Sequence, residues 1–131
     1  MTDEINVRIR VESSIVTARQ KGRELASQLG FSSSELTTIA TAISELARNI
    51  LDYAGQGEIS MHLANQNGKK GIVIIARDNG PGIPDIDRAM QDGYSTGGSL
   101  GLGLPGTKRL MDEFEIVSTV GKGTTVTIKK W

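Results

Sequence analysis

The sequence contains no cysteine, which removes disulfides, thiolate nucleophiles and thiolate metal sites from consideration. Its single histidine, His62, cannot build a His-rich zinc centre. Aromatic residues and prolines are scarce: five and three in 131 positions. An excess of charge of either sign is also missing. Fifteen Lys and Arg balance fifteen Asp and Glu, so no broad attraction to nucleic acid or to an anionic membrane is expected. The opening, MTDEINVRIR, has no apolar stretch of signal-peptide length, and no apolar run is long enough to span a bilayer. A cytoplasmic protein with neither a nucleic-acid nor a membrane partner is the expectation. What is present is an ordinary globular composition, 37% hydrophobic and 23% charged, with length for one domain over residues 1–131. Sixteen glycines are the unusual feature, half of them between Asp78 and Gly106.

Hydrophobic periodicity divides the chain. Ile5 to Val11 alternates apolar and polar residues, the period of a half-buried strand. Ser13 and Ser14 are placed to cap a helix running to about Leu29, with Gly30 as its C′ stop. Ser32-x-x-Glu35 reads as a capping box, after which Leu36, Ile39, Ala40, Ile43, Leu46, Ala47 and Ile50 recur at helical spacing until Gly55. Glu58 to Ala64 alternates again, and Asn67-Gly68 signals a hairpin turn. Ile72 to Ala76 is apolar on both faces, which predicts a central strand covered on both sides or nearly so. A short helix is expected within Asp85 to Gln91. Pro105 suits the first turn of a third long helix carrying Leu104, Leu110, Met111 and Phe114 on one side. Strands at Glu115–Val120 and Thr124–Lys130 follow, around a Gly121-Lys122-Gly123 turn. The expected fold class is α+β: a two-layer α/β sandwich, its sheet mixed but mostly antiparallel, with three main helices on one face. A doubly wound nucleotide fold is disfavoured because strands and helices do not alternate regularly.

Four constellations carry chemistry. Glu45 and Asn49 stand one turn apart on the second helix and share a face. The Asn49 amide oxygen is a hard, neutral ligand suited to Mg²⁺, which takes the rest of its shell from water and phosphates. The Glu45 carboxylate is suited to orienting or deprotonating a hydroxyl. As residues alone, the pair reads first as a solvated face of an amphipathic helix. Asp78-Asn79-Gly80-Pro81-Gly82-Ile83 follows the apolar strand: an acid there is placed to accept from an exocyclic amine, and the glycines allow backbone close to a planar ring. A tight Gly-Pro turn is the plain alternative. Gly97 to Pro105 is Gly-rich and leads into a helix, so converging N–H groups and the helix N-terminus suit phosphate without basic side chains. It is neither a P-loop nor a dinucleotide fingerprint. Last, Gly121-x-Gly123-Thr124-Thr125 sits between two strands.

The order of these four resembles the GHKL (Bergerat-fold) superfamily of ATP-binding domains, which includes gyrase, Hsp90, histidine kinases and MutL. The stretches I-S-E-L-A-R-N-I, D-N-G-P-G-I-P-D-I, G-G-S-L-G-L-G-L-P-G-T-K-R-L-M-D-E-F and G-T-T-V carry the resemblance, from about Ile43 to the end. Within the superfamily the chain is most similar to the RsbT-type switch kinases of the bacterial stressosome. The resemblance implies Glu45 as catalytic carboxylate, Asn49 as the single protein ligand of Mg²⁺ and Asp78 as acceptor of the adenine amino group. It implies Gly80, Gly82 and Ile83 against the base, with Gly98, Gly101, Leu102 and Gly103 at the phosphates. Gly93 to Ser99 would be a short ATP lid, and Thr124 the hydroxyl supporting the adenine site. Asp52 occupies a place where gyrase-like members carry a further acid. The chain lacks a dimerisation helix with a phospho-accepting histidine, His62 being a surface or half-buried strand residue, and lacks an obvious lid arginine. Ser95, Thr96, Arg48 or Lys108 are its possible substitutes. The function implied is a Ser/Thr protein kinase using Mg-ATP on a STAS-domain scaffold, then released to activate a PP2C-type phosphatase. Rival readings are a nucleotide-dependent binding switch or anti-sigma factor, and an autonomous ATPase. Arg19 and Arg23 on the first helix are candidates for the partner surface.

Overall fold

Alternating apolar residues on the strands and one apolar stripe on each long helix meet in a single core. A computed structural model describes residues 4–90 and 103–131. In chain order the elements are β1 (Ile5–Ile9), α1 (Glu12–Ser27), α2 (Ser33–Ala54), β2 (Gly57–Gln66), β3 (Lys69–Asp78), α3 (Ile86–Ala89), α4 (Gly103–Leu110), β4 (Glu113–Thr119) and β5 (Gly123–Lys130). The five strands form one sheet in the order β1-β2-β3-β5-β4, and all four pairings are antiparallel. Val7, Ile9, Ile59, Met61, Ile72, Ile74, Val126 and Ile128 project from one face of the sheet. They pack against Ile15, Ala18 and Leu25 of α1, Ile39, Ile43, Leu46 and Ile50 of α2, and Leu104 of α4. This is the expected α+β sandwich with its helices on one face; the mixed pairing allowed by the sequence resolves to antiparallel throughout.

The helix ends follow local chemistry. The Ser32 hydroxyl accepts from the Glu35 N–H at 3.1 Å, and the Glu35 carboxylate accepts from the Ser32 N–H at 2.9 Å, the reciprocal box the sequence predicts. That backbone donor holds the Glu35 carboxyl below its ordinary pKa. Gly55 closes α2 with φ of 80°. The start of α1 differs from expectation. Val11 is the capping residue, and Ser14 is the third helical residue rather than the cap; its hydroxyl reaches back to accept from the Val11 and Arg10 N–H groups, both at 3.2 Å. α1 also ends at Ser27, two residues before the expected Leu29, with Gly30 in the left-handed region beyond it.

Two further expectations are corrected. β3 is central, with β2 and β5 on either side, but among the described residues no helix covers its second face. Val73 is buried there because its cross-strand partners His62 and Lys129 flank it. The third long helix is only the eight residues of α4, and Phe114 lies in β4 instead. The Asp112 N–H donates to the Lys129 carbonyl at 3.0 Å, and the Asp112 carboxylate accepts from the Trp131 N–H at 2.8 Å. Sheet pairing therefore claims the backbone just past Leu110 and stops the helix. Asn67 and Gly68, with φ of 55° and 82°, form the hairpin turn predicted for them.

Gly123 ties the last hairpin to the end of β3. Its φ is 126°, and a Cβ there would run into the Asp78 carbonyl. Gly123→Ala is expected to destabilise the domain by about 2–4 kcal/mol through backbone strain plus a clash that only the strands can relieve. Urea unfolding measures this, and a variant within error of the parent would show that the approach is not obligatory.

Candidate functional site

The middle and the C-terminal end of α2 face two different structures. Glu45 and Asn49 are half-buried on the middle of the helix. The Glu45 Oε1 accepts from the Gly103 N–H at 3.1 Å, so the carboxylate sits at the N-terminus of α4, where partial positive charge favours an anion. The Gly103 amide expected at the phosphates is thus engaged by Glu45 in this structure. Gly98, Gly101 and Leu102, together with the lid positions Gly93 to Ser99, lie outside the described residues.

Nine residues farther along α2, about 13 Å at helical rise, Ala54 packs against the loop after β3. A Cβ on Gly80 would approach the Ala54 Cβ to 2.6 Å, so only glycine lets the loop lie this close to the helix. Asp78 is half-buried at the end of β3, and its Oδ1 accepts from the Gly80 N–H at 2.9 Å. This local turn pins the carboxylate and leaves Oδ2 as its remaining acceptor. A cavity of about 400 Å³ opens beside it, lined by Ala54, Gln56, Gly57 and Asn79 together with Arg8, Glu58 and Arg77, a cross-strand row on the open face of the sheet.

Thr124 is buried and stands directly across from Asp78 in the β3–β5 ladder. The loop carrying Gly80, Gly82 and Ile83 is stapled to the β4–β5 hairpin. The Gly121 N–H donates to the Pro81 carbonyl at 2.8 Å, and the Ile83 N–H donates to the Ser118 hydroxyl at 2.7 Å. Gly82 has φ of 79°, and a Cβ there would stand 3.0 Å from the Val120 Cα. Asp78, Thr124, Gly80, Gly82 and Ile83 therefore form one assembly, joined by α2 to Glu45 and Asn49. Ser118 was not singled out from the sequence. The signal that finds it is the strand alternation of β4, which puts it on the helix side opposite Thr124.

The donor set fits Mg-ATP in kind. A neutral amide oxygen beside a carboxylate suits a Mg²⁺ completed by phosphates and water, and a pinned carboxylate beside a hydroxyl suits an aminopurine edge. The cationic candidates are placed differently. The Arg48 guanidinium makes a two-point ion pair with Glu12 of α1, with Nη2 at 2.7 Å from Oε2. Lys108 is exposed in the second half of α4, and Ser95 and Thr96 lie outside the described residues. The hydrogen bond from Arg48 holds the Glu12 carboxyl below its ordinary pKa. Glu12, with lesser contributions from Asp52 and Glu45, holds the Arg48 guanidinium above its own. Asp52 is exposed one turn beyond Arg48, and His62 is half-buried on the open face of the sheet. Arg19 is exposed on α1, while Arg23 donates to the Thr37 hydroxyl at 3.3 Å.

Comparison with known proteins gives the family and the fold. Residues 35–131 match the model of the histidine kinase-, DNA gyrase B- and HSP90-like ATPase family. The chain is 56% identical, over all its 131 residues and 98% of the relative, to the serine/threonine-protein kinase RsbT of Bacillus subtilis (strain 168). It is 34% identical over 120 residues, 86% of the chain and 81% of the relative, to the anti-sigma F factor of Geobacillus stearothermophilus. Among solved structures, the RsbU and RsbW domains of Rv1364c from Mycobacterium tuberculosis align over 99% of this chain and 31% of that one, with a TM-score of 0.65 and 23% identity. The mycobacterial sensor histidine kinase MprB aligns over 99% of this chain and 97% of that one, with a TM-score of 0.56 and 14% identity. At those identities the two structures share the fold.

The Glu12–Arg48 pair makes a pH-dependent link between α1 and α2. Glu12 titrates lower in the folded than in the unfolded chain. Its contribution is therefore complete above the ordinary carboxylate range and is lost as pH falls through the lowered folded value. Because 71% of the Glu12 side chain is exposed, solvent screens the pair and the effect on stability is small. In Arg48→Met the Glu12 carboxyl is expected to titrate at a higher pH by NMR. An unmoved titration would mean the pair does not persist in solution.

Proposed function

Because this chain belongs to the histidine kinase-, DNA gyrase B- and HSP90-like ATPase family, we propose that it moves the γ-phosphate of Mg-ATP to a serine or threonine of a STAS-domain protein. Its activity is that of a serine/threonine-protein kinase, and its nucleotide is ATP. The observation that carries the finer reading is the layout along α2, with a carboxylate–amide pair on the middle of the helix and a pinned aspartate beside its C-terminal end. That spacing gives an extended nucleoside triphosphate a place for its base and a place for its phosphates along one helix.

Each residue has a task in this reading. Asp78 accepts from the purine amine through Oδ2, while Gly80, Gly82 and Ile83 bring backbone against the ring. Thr124 supports the base edge from β5. Asn49 holds Mg²⁺ through its amide oxygen, and the ion supplies neutralisation of the phosphate charge when bound. Gly98, Gly101, Leu102 and Gly103 offer N–H groups to the phosphates. Glu45 accepts the proton of the substrate hydroxyl, which requires it to exchange the Gly103 amide for that hydroxyl. Phosphoryl transfer asks mainly for alignment and charge stabilisation, and a small domain meets both. After transfer the kinase leaves its STAS-domain scaffold and activates a PP2C-type phosphatase.

Radiolabelled ATP, Mg²⁺ and a STAS-domain protein are expected to yield labelled serine or threonine on the partner. Glu45→Gln is expected to cut the labelling rate by about 10²–10⁴-fold while ADP binding persists. Full activity in that variant would exclude Glu45 as base, whereas a parent that binds ADP but labels no partner would favour the binding-switch reading. Asp78→Asn is expected to weaken ADP by roughly 10–100-fold in calorimetry, the size of a lost hydrogen bond to a charged group. Unchanged affinity would exclude Asp78 from the base site.

A further inference from the structure

Ser118 occupies a junction that none of the motifs includes. It pairs with Thr124 across β4 and β5, and Thr124 pairs with Asp78 across β5 and β3. The three side chains form a row across three neighbouring strands at the end of the sheet that carries the proposed base site. The Ser118 hydroxyl accepts from the Ile83 N–H at 2.7 Å. It lies 2.8 Å from the Thr124 hydroxyl and 3.3 Å from the Gly123 carbonyl.

A hydroxyl has one proton to donate and two lone pairs to accept with. Ile83 occupies one lone pair of Ser118, so its proton can go to one of two places. If it goes to the Gly123 carbonyl, Thr124 must donate to Ser118 to make the 2.8 Å contact, and Thr124 then offers only lone pairs to a ligand beside Asp78. If it goes to Thr124, the proton of Thr124 is released to a ligand. The 2.8 Å contact is common to both arrangements, since either oxygen can donate in it, and the adenine nucleotide of the proposed function is the ligand that selects the second. An acceptor at Asp78 beside a donor at Thr124 complements an exocyclic amine next to an unprotonated ring nitrogen, the pattern of a 6-aminopurine. Two acceptors side by side would instead complement the adjacent N–H and amino donors of guanine.

We infer that Ser118 is a positioning residue that sets base specificity, favouring a 6-aminopurine over guanine by donating its hydroxyl proton to Thr124. This rests on the nucleotide reading above and deepens it. Ser118 does not itself meet the base; its acceptor role toward Ile83 holds the Gly80–Ile83 loop, and its donor role orients Thr124.

The test is calorimetry of the full chain with ADP, GDP and 1-deaza-ADP, in which the ring acceptor is replaced by C–H. The parent is expected to prefer ADP over both. In Ser118→Ala the ADP preference over each should narrow about tenfold, one hydrogen bond's worth. Ser118→Thr, which restores the hydroxyl, should recover it. If Ser118→Ala does not fold, Ser118→Cys, with a weak donor of similar size, should narrow the ratios in the same direction. Equal weakening of all three ligands would reduce Ser118 to a structural support for the loop and overturn the inference, as would unchanged ratios. A parent that binds no ADP would overturn the nucleotide reading itself and this inference with it.

Discussion

Pairing of β3 with β5 at Asp78 and Thr124 is the constraint on which the rest of this structure depends. It brings a carboxylate and a hydroxyl from positions 46 residues apart onto one face. The approach is possible because Gly123 has no side chain where the Asp78 carbonyl passes. The same contact orders its neighbours. With β5 in place, β4 presents Ser118 to Thr124, and Ser118 captures the Ile83 amide. The Gly80–Ile83 loop is thereby fixed by polar contacts to strands far from it in sequence. A loop built this way keeps backbone close to a ligand, with Ile83 packed against the core as its apolar anchor.

α2 supplies the second organising element. Its apolar stripe is buried in the core, and its ends are set by a reciprocal capping box and a left-handed glycine. A helix so firmly placed makes a reliable ruler. Groups one turn apart, such as Glu45 and Asn49, keep their relation, and both keep a constant distance from Ala54 and the loop packed on it. The ion pair from Arg48 to Glu12 adds α1 to this frame. It also engages the cation nearest the carboxylates Glu45 and Asp52 along the helix, so Arg48 is oriented toward α1 in this structure.

Much of this was legible in the residues. The capping box at Ser32 and Glu35, the stop at Gly55, the Asn67-Gly68 turn and the central place of β3 follow from local chemistry. A helix cap or a tight turn is decided within four residues. Glu45, Asn49, Asp78 and Thr124 were each weak as local signals, and it was their order, through its resemblance to the GHKL superfamily, that pointed to a nucleotide site. Where local signals were ambiguous, tertiary pairing decided. α4 stops at Leu110 because Asp112 and its neighbours pair with the end of β5, a competition invisible in the periodicity of Leu104, Leu110, Met111 and Phe114. Val73 is apolar without a covering helix because its cross-strand neighbours shield it.

By itself, then, the chain's pattern determined most of the elements, their caps and turns, and the α+β class with helices on one face of a sheet. Only the folded arrangement decided which side chains meet. Ser118 shares a hydroxyl junction with Thr124, Glu45 reaches the first residue of α4, and Arg48 is drawn to Glu12. These contacts join positions from 6 to 58 residues apart. Periodicity encodes which way a side chain faces along its own element. The partner across a strand or helix boundary is set by register and packing, which exist only once the whole sheet has formed.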